Sequence, residues 1–170
     1  MLVLSALLFL LGLILLFNVN RRQKASGLPA GRIIYSDIQT WSPVEKSLID
    51  PDISLVGRPD YLVQQGDQLI PVEVKTNRVT DGPYDSHIYQ LAAYCRLVQS
   101  SYGKRPPIGI LHYANQNFAI DYTSELEESL LETLDEMRSQ MRRKTIDRSH
   151  STPTRCHGCG YRTVCDQKLV

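Results

Sequence analysis

Apolar positions recur along this chain in three rhythms. Residues 1 to 17 are apolar apart from Ser5 and Gly12, and no charge appears before Arg21. Such a run is long enough to read as a helix crossing a hydrocarbon core of about 30 Å. It lacks the basic leader and the small-residue cleavage site of a secretory signal. Arg21, Arg22 and Lys24 follow at once, and under the positive-inside rule they keep the C-terminal side cytoplasmic. The expectation is a single-pass membrane anchor over 1–19, a linker over 20–31 ending in Ala-Ser-Gly-Leu-Pro-Ala-Gly, and a folded cytoplasmic domain over 32–170.

The second rhythm is alternation. Arg32 to Tyr35 reads as a first strand, and Ser36 to Asp52, broken by Pro43 and Pro51, as a loop from which Trp41 packs over the core. Ile53 to Val63 and Gln68 to Thr76 are extended runs around Gln64-Gln65-Gly66-Asp67, which is a hairpin signal. In the second run Ile70, Val72 and Val74 point one way and Glu73 and Lys75 the other, because strand side chains alternate between faces. Ile108 to Tyr113 and Phe118 to Tyr122 make a second hairpin around residues 114–117.

The third rhythm is helical. Ser86 is placed to cap a helix reaching about Tyr102, with Ile88, Leu91, Cys95, Val98 and Tyr102 as its buried stripe. Gln90 and Tyr94, four apart, share an adjoining face. Ser124 and Glu127 have the spacing of a capping box for a last helix, whose apolar face is Leu126, Leu130, Leu134, Met137 and Met141. That helix is acidic early and basic late, which suits the helix dipole.

Composition adds two bounds. With 170 residues, 42% hydrophobic and 22% charged, the chain has room for one globular domain plus an appendage. Its net charge of +1 gives no overall basic field, so any nucleic-acid contact must come from local patches. Three of its four cysteines, Cys156, Cys159 and Cys165, lie within ten residues, the pattern of a metal site in a reducing compartment.

The strands and the first helix bring chemistry together. Asp60 follows Gly57-Arg58-Pro59; Glu73 and Lys75 share one strand face; Gln90 and Tyr94 look on from the helix. Two carboxylates on neighbouring strands can bind one Mg²⁺ or Mn²⁺, with the Val74 carbonyl as a third ligand. Lys75 can orient a water, take its proton or neutralise a phosphate, and Gln90 and Tyr94 can hold that water or a phosphate oxygen. Glu-x-Lys alone is an ordinary exposed pair on an edge strand; the ordered combination points to phosphodiester hydrolysis.

Gly57-Arg58-Pro59-Asp60, Glu73-Val74-Lys75 and Gln90-Leu91-Ala92-Ala93-Tyr94 resemble the motifs of the PD-(D/E)XK nuclease superfamily, and most closely its RecB-like branch, including the CRISPR-associated RecB-like exonucleases. The resemblance covers about residues 53 to 165. It implies an α/β, restriction-endonuclease-like core, with a mixed central sheet flanked by helices. It implies metal-dependent DNA cleavage, often exonucleolytic and often on single-stranded or end-bearing DNA. Asp60 and Glu73 match the metal ligands, Lys75 the catalytic lysine, and Gln90 and Tyr94 the RecB-type helix motif. Relatives often carry an acidic residue or His on an N-terminal helix; here no His precedes His87, and Glu45 or Asp37 are the substitutes at hand.

For the cysteines the resemblance implies a [4Fe-4S] cluster that pins the C-terminus to the nuclease core, its fourth cysteine lying upstream of the catalytic motifs. No cysteine precedes Cys95 here, and Cys95 sits on an apolar helical stripe, where it reads as a core thiol. His150 or His157 could complete the set instead, which would also permit Zn²⁺ with Cys₃His ligation. The expected function is a membrane-anchored, metal-dependent deoxyribonuclease. The competing reading is a catalytically weak or inactive nucleic-acid-binding or assembly module of the same fold, distinguished by salt-sensitive DNA binding that survives loss of Glu73.

Overall fold

The computed structural model describes residues 32–34 and 41–169. The expected anchor, the linker and Tyr35 lie outside these, as does the side chain of Trp41. Among the described residues no helix is long and apolar enough to cross a membrane. The chain forms two compact units, one ending at Leu131 and one beginning at Glu132.

The first unit holds eight strands among the described residues: β1 (Arg32–Ile34), β2 (Trp41–Pro43), β3 (Leu48–Asp50), β4 (Leu55–Gly57), β5 (Tyr61–Gln65), β6 (Gln68–Lys75), β7 (Ile108–Tyr113) and β8 (Asn117–Asp121). Six of them make one sheet in the order β1-β8-β7-β6-β5-β2, and β3 and β4 pair separately. Helix α1 (Asp85–Tyr102) connects β6 to β7, which run parallel; every other pairing in the large sheet is antiparallel. This is the expected α/β architecture, a mixed sheet flanked by helices.

Both expected hairpins form. The first closes on the two residues Gly66 and Asp67, with the positive φ of 63° on Gly66, the first loop position, where a type II′ turn requires it. The parallel ladder from β6 to β7 starts at Val72, one residue past Pro71. A proline has no N–H for such a ladder, so its place before the first pair leaves the central strand intact.

Several sequence expectations need correction. The supposed loop over 36–52 contains β2 and β3. Pro43 is tolerated there because β2 lies at the edge of the sheet. Ile53 to Val63 is not one extended run: a turn over 51–54 precedes β4, and Arg58-Pro59-Asp60 separates β4 from β5. Ser86 does not cap α1, which begins at Asp85 with Tyr84 in the cap position and no capping side chain. Tyr102, expected in the buried stripe, is exposed, while Leu97 is fully buried. Leu97 and Val98 pack with Leu48 and Leu62, so α1 has a second apolar contact facing β3 that a single stripe could not reveal.

Helix α2 (Ser124–Met141) is capped one residue earlier than expected: Thr123 Oγ1 accepts the Leu126 N–H at 3.2 Å. Glu127 is thereby released from the capping box and binds arginines instead. Only the first part of its apolar face is buried, at Leu126 and Leu130, whereas Met137 and Met141 are exposed. The boundary between the two units falls within this helix. The second unit contains α3 (Pro153–His157), which carries Cys156.

Candidate active site

Strand register builds the site. β5 and β6 pair antiparallel with Tyr61 opposite Val72. One step further along the same register sets Asp60 against Glu73. The Asp60 carboxylate turns back onto β6 and accepts the Val74 N–H through Oδ2 at 2.8 Å. Asp60 itself is exposed, whereas Glu73 is 6% exposed. The two carboxyl groups therefore lie side by side at the rim of the sheet, one wet and one buried.

The alternation along β6 placed Glu73 and Lys75 on one face, and they are there together. Val63, Ile70, Val72 and Ile110 form an apolar cluster. The Glu73 face is not solvated, as an edge strand's would be, because β6 lies inside the sheet and α1 covers it. The helix meets it with Gln90 and Tyr94. Lys75 Nζ donates to Glu73 Oε1 at 2.9 Å and to Gln90 Oε1 at 2.8 Å. Gln90 Nε2 donates to the same Glu73 oxygen at 2.7 Å and to Tyr94 Oη at 2.9 Å. Four of the five predicted residues form one hydrogen-bonded network, and Asp60 joins them through the Val74 N–H and its charge on Glu73.

Electrostatics follow from this packing. Burial pushes the Glu73 carboxyl above its ordinary value; Lys75 pulls it back by hydrogen bond and charge, and Asp60 pushes it up again. The net direction is upward. Burial likewise raises Tyr94, opposed by its hydrogen bond with Gln90 and reinforced by the charges of Glu73 and Asp60. Two carboxylates share the place with one ammonium group, so the cluster favours a further positive charge. Hard oxygen donors in an acid-rich setting fit Mg²⁺ or Mn²⁺. Asp60 and Glu73 are the residues able to hold such an ion, and the Val74 carbonyl is the third candidate ligand.

Two neighbours escaped the sequence reading. His87 lies three residues before Gln90, on the same side of α1, and its Nδ1 is 2.7 Å from Tyr113 Oη. Tyr113 is the partner of Lys75 across the parallel ladder. Burial, then the Lys75 charge, hold His87 below its ordinary value, so its imidazole is neutral at physiological pH. The three-residue step to Gln90 was the available signal. Glu45 is exposed and is not brought into this network, and Asp37 lies outside the described residues.

All four cysteines are free. Cys95 is buried in α1, and burial pushes its thiol well up, which makes it the core thiol expected. Cys156 is buried, Cys165 half-buried and Cys159 exposed. Among the described residues no group of three or more His, Cys, Asp or Glu side chains is drawn together tightly enough to hold a metal ion. The iron–sulfur cluster implied by resemblance therefore has no assembled site here.

Similarity to known proteins agrees with this geometry. The solved structure described as the crystal structure of SSO0001 matches with a TM-score of 0.50 at 22% identity, covering 94% of this chain and 71% of that one. At that identity the likeness is one of fold. No curated protein matches the chain. A family model described as the PD-(D/E)XK nuclease superfamily matches residues 18–166, nearly the whole chain, including Asp60, Glu73, Lys75, Gln90 and Tyr94. With that match over a mixed α/β sheet, the chain belongs to the PD-(D/E)XK nuclease superfamily.

Proposed function

We propose that this protein is a divalent-metal-dependent deoxyribonuclease, acting as an exonuclease of the RecB-like kind on single-stranded or end-bearing DNA. The observation that carries the reading is the network centred on Glu73: a buried carboxyl of raised proton affinity, beside a second carboxylate, bridged to a lysine that a glutamine holds in place. A purely structural cluster has no need of two adjacent carboxylates served by one ammonium.

Asp60 and Glu73 would hold Mg²⁺ or Mn²⁺, which supplies neutralisation of phosphate charge and a more acidic water. Hydrolysis forms a bond from water oxygen to phosphorus and breaks the bond to the leaving sugar oxygen. Lys75 donates toward the scissile phosphate and orients the attacking water. Gln90 fixes Lys75 by accepting its hydrogen bond, and Tyr94 fixes Gln90. The Val74 N–H holds Asp60 in register with Glu73. Residues 1–19 would anchor the protein in the membrane as a single pass, with 20–31 as linker and 32–170 as the cytoplasmic nuclease domain.

The test is cleavage of end-labelled single-stranded, duplex and circular DNA by the full-length chain with Mg²⁺, Mn²⁺ or chelator. Linear DNA should be degraded only with the metals, and circular DNA spared. Glu73→Ala and Lys75→Ala should each lower the rate at least about a hundredfold. Absence of cleavage under every divalent metal, with salt-sensitive DNA binding that survives Glu73→Ala, would establish the binding-module function instead.

A further inference from the structure

In the second unit the segment 146–168 folds around a cleft of about 290 Å³. Arg148 closes it. The Arg148 backbone N–H donates to Gln167 Oε1 at 2.6 Å, and its guanidinium donates to the carbonyls of His150 and Gln167. The ends of the segment are thus held together without a disulfide. His150, Cys156, Cys159 and Cys165 all line this one cleft. His157, the other histidine nearby in sequence, is exposed and is not among the lining residues.

The two nitrogens of the His150 ring are placed differently. Its Nδ1 is buried and has no partner. That leaves Nε2 as the ring nitrogen aimed at the cysteines. Its Nε2 lies 3.9 Å from Cys156 Sγ. The same sulfur accepts the Leu169 N–H at 3.4 Å, the kind of contact that orients a ligating thiolate. Turns supply the rest: the Cys159 N–H bonds to the Cys156 carbonyl at 3.3 Å, and the Cys165 N–H to the Tyr161 carbonyl at 2.9 Å.

We infer that His150, Cys156, Cys159 and Cys165 form a mononuclear structural zinc site, with His150 in the place of a fourth cysteine. The His150–Cys156 spacing fits ligands of a single ion. A sulfur at 2.3 Å and a nitrogen at 2.0–2.1 Å from one tetrahedral ion lie roughly 3.6 Å apart. The observed 3.9 Å is close to that edge. A four-iron cubane binds each ligand at a different corner and so holds them further apart. Three thiolates on Zn²⁺ leave one negative charge, and Arg148, Arg162 and Lys168 around the same cleft balance it. No three of these side chains stand within metal-holding distance among the described residues, so loading requires Cys159 and Cys165, the two less buried thiols, to close onto the His150–Cys156 edge.

The site is independent of the Glu73 network, and its test does not depend on cleavage. The full-length chain is purified without chelators, its zinc and iron are measured, and the zinc is exchanged for Co²⁺. The expected result is one zinc per chain, and a cobalt spectrum with thiolate charge-transfer and tetrahedral ligand-field bands. His150→Ala should weaken Co²⁺ binding by at least about tenfold. His150→Cys should keep the metal and move the bands to a four-thiolate pattern, and His157→Ala should change nothing. Four irons per chain with broad visible absorption would overturn the assignment. So would three freely titrating thiols in a metal-free, folded chain, or a His150→Ala protein that binds Co²⁺ as tightly as the parent.

Discussion

Helix α1 serves two charged networks, and they are built on opposite principles. One is the Glu73 site. The other lies further along the helix, where Arg96 Nε meets the fully buried Asp50 at 2.7 Å and its Nη1 meets Glu127 at 3.1 Å. Arg105 also pairs with Glu127, lies 4.2 Å over the Tyr122 ring, and donates to the Tyr122 and Thr123 carbonyls at 3.1 Å each. Here two carboxylates face two guanidinium groups, and charge is balanced. At Glu73 two carboxylates face one ammonium. The proton affinities register the contrast. Burial pushes Glu127 up, but Arg105 and Arg96 more than offset it, and its net direction is down. Glu73 moves up. Burial alone therefore does not set the direction in which a carboxyl shifts; the count of cationic partners does.

The contrast can be broken experimentally, and the largest effect belongs to the balanced network. Arg96→Ala leaves Asp50 buried with only the Asp52 N–H at 3.1 Å. Removing one partner of such a pair costs about 3–5 kcal/mol, measurable as a lower denaturant midpoint, while cleavage per folded molecule stays near the parent's. A loss below about 1 kcal/mol would mean that the pair behaves as a surface salt bridge.

The second effect has the opposite sign. A carboxyl whose folded-state proton affinity is raised adds stability below its ordinary value of 4.5 and loses that stability as pH rises through the higher folded value. Glu73→Gln should therefore raise the thermal midpoint of the metal-free protein at neutral pH, by an increment that vanishes in acid. Adding Mg²⁺ or Mn²⁺ should stabilise the parent and leave the variant unmoved, because only the parent binds the ion. Glu127 predicts the reverse: its contribution is present at neutral pH and fades as pH falls through its lowered range. An equal fall in stability for Glu73→Gln and Glu127→Gln at neutral pH would erase the distinction.

The smallest effect is Tyr94→Phe. It removes one acceptor from Gln90, which keeps its bonds to Glu73 and Lys75. A loss of about 1 kcal/mol, or roughly fivefold in cleavage rate, is expected, with the metal-induced rise in thermal midpoint preserved.

The Glu73 network was legible in the sequence because its parts are local. Alternation along β6 sets the face of Glu73 and Lys75, and a four-residue helical step sets Gln90 and Tyr94. That Glu73 is buried was not legible. It depends on α1 folding back over β6 from beyond a loop, and on β5 and β7 flanking that strand. The balanced network was invisible for the same reason: Asp50, Arg96, Arg105 and Glu127 come from four separate segments, and no period links them. Local competition explains the smaller differences. Thr123 takes the cap that Ser124 was expected to supply, which frees Glu127 for its arginines. His150 could not be chosen over His157 from spacing alone, since only the fold around Arg148 turns one inward.

Gly57 carries a constraint of another kind. A Cβ at this last residue of β4 would lie 2.9 Å from Leu97 Cδ1 and 3.1 Å from the Tyr94 ring, closer than such atoms pack without one of them shifting. Even a methyl group there requires the end of Leu97 to shift and crowds the ring of Tyr94, which accepts the Gln90 hydrogen bond. In a survey of tolerated substitutions, position 57 would thus favour glycine although its backbone is not left-handed. The small β3–β4 sheet thus approaches α1 closely at Tyr94, the tyrosine bonded to Gln90.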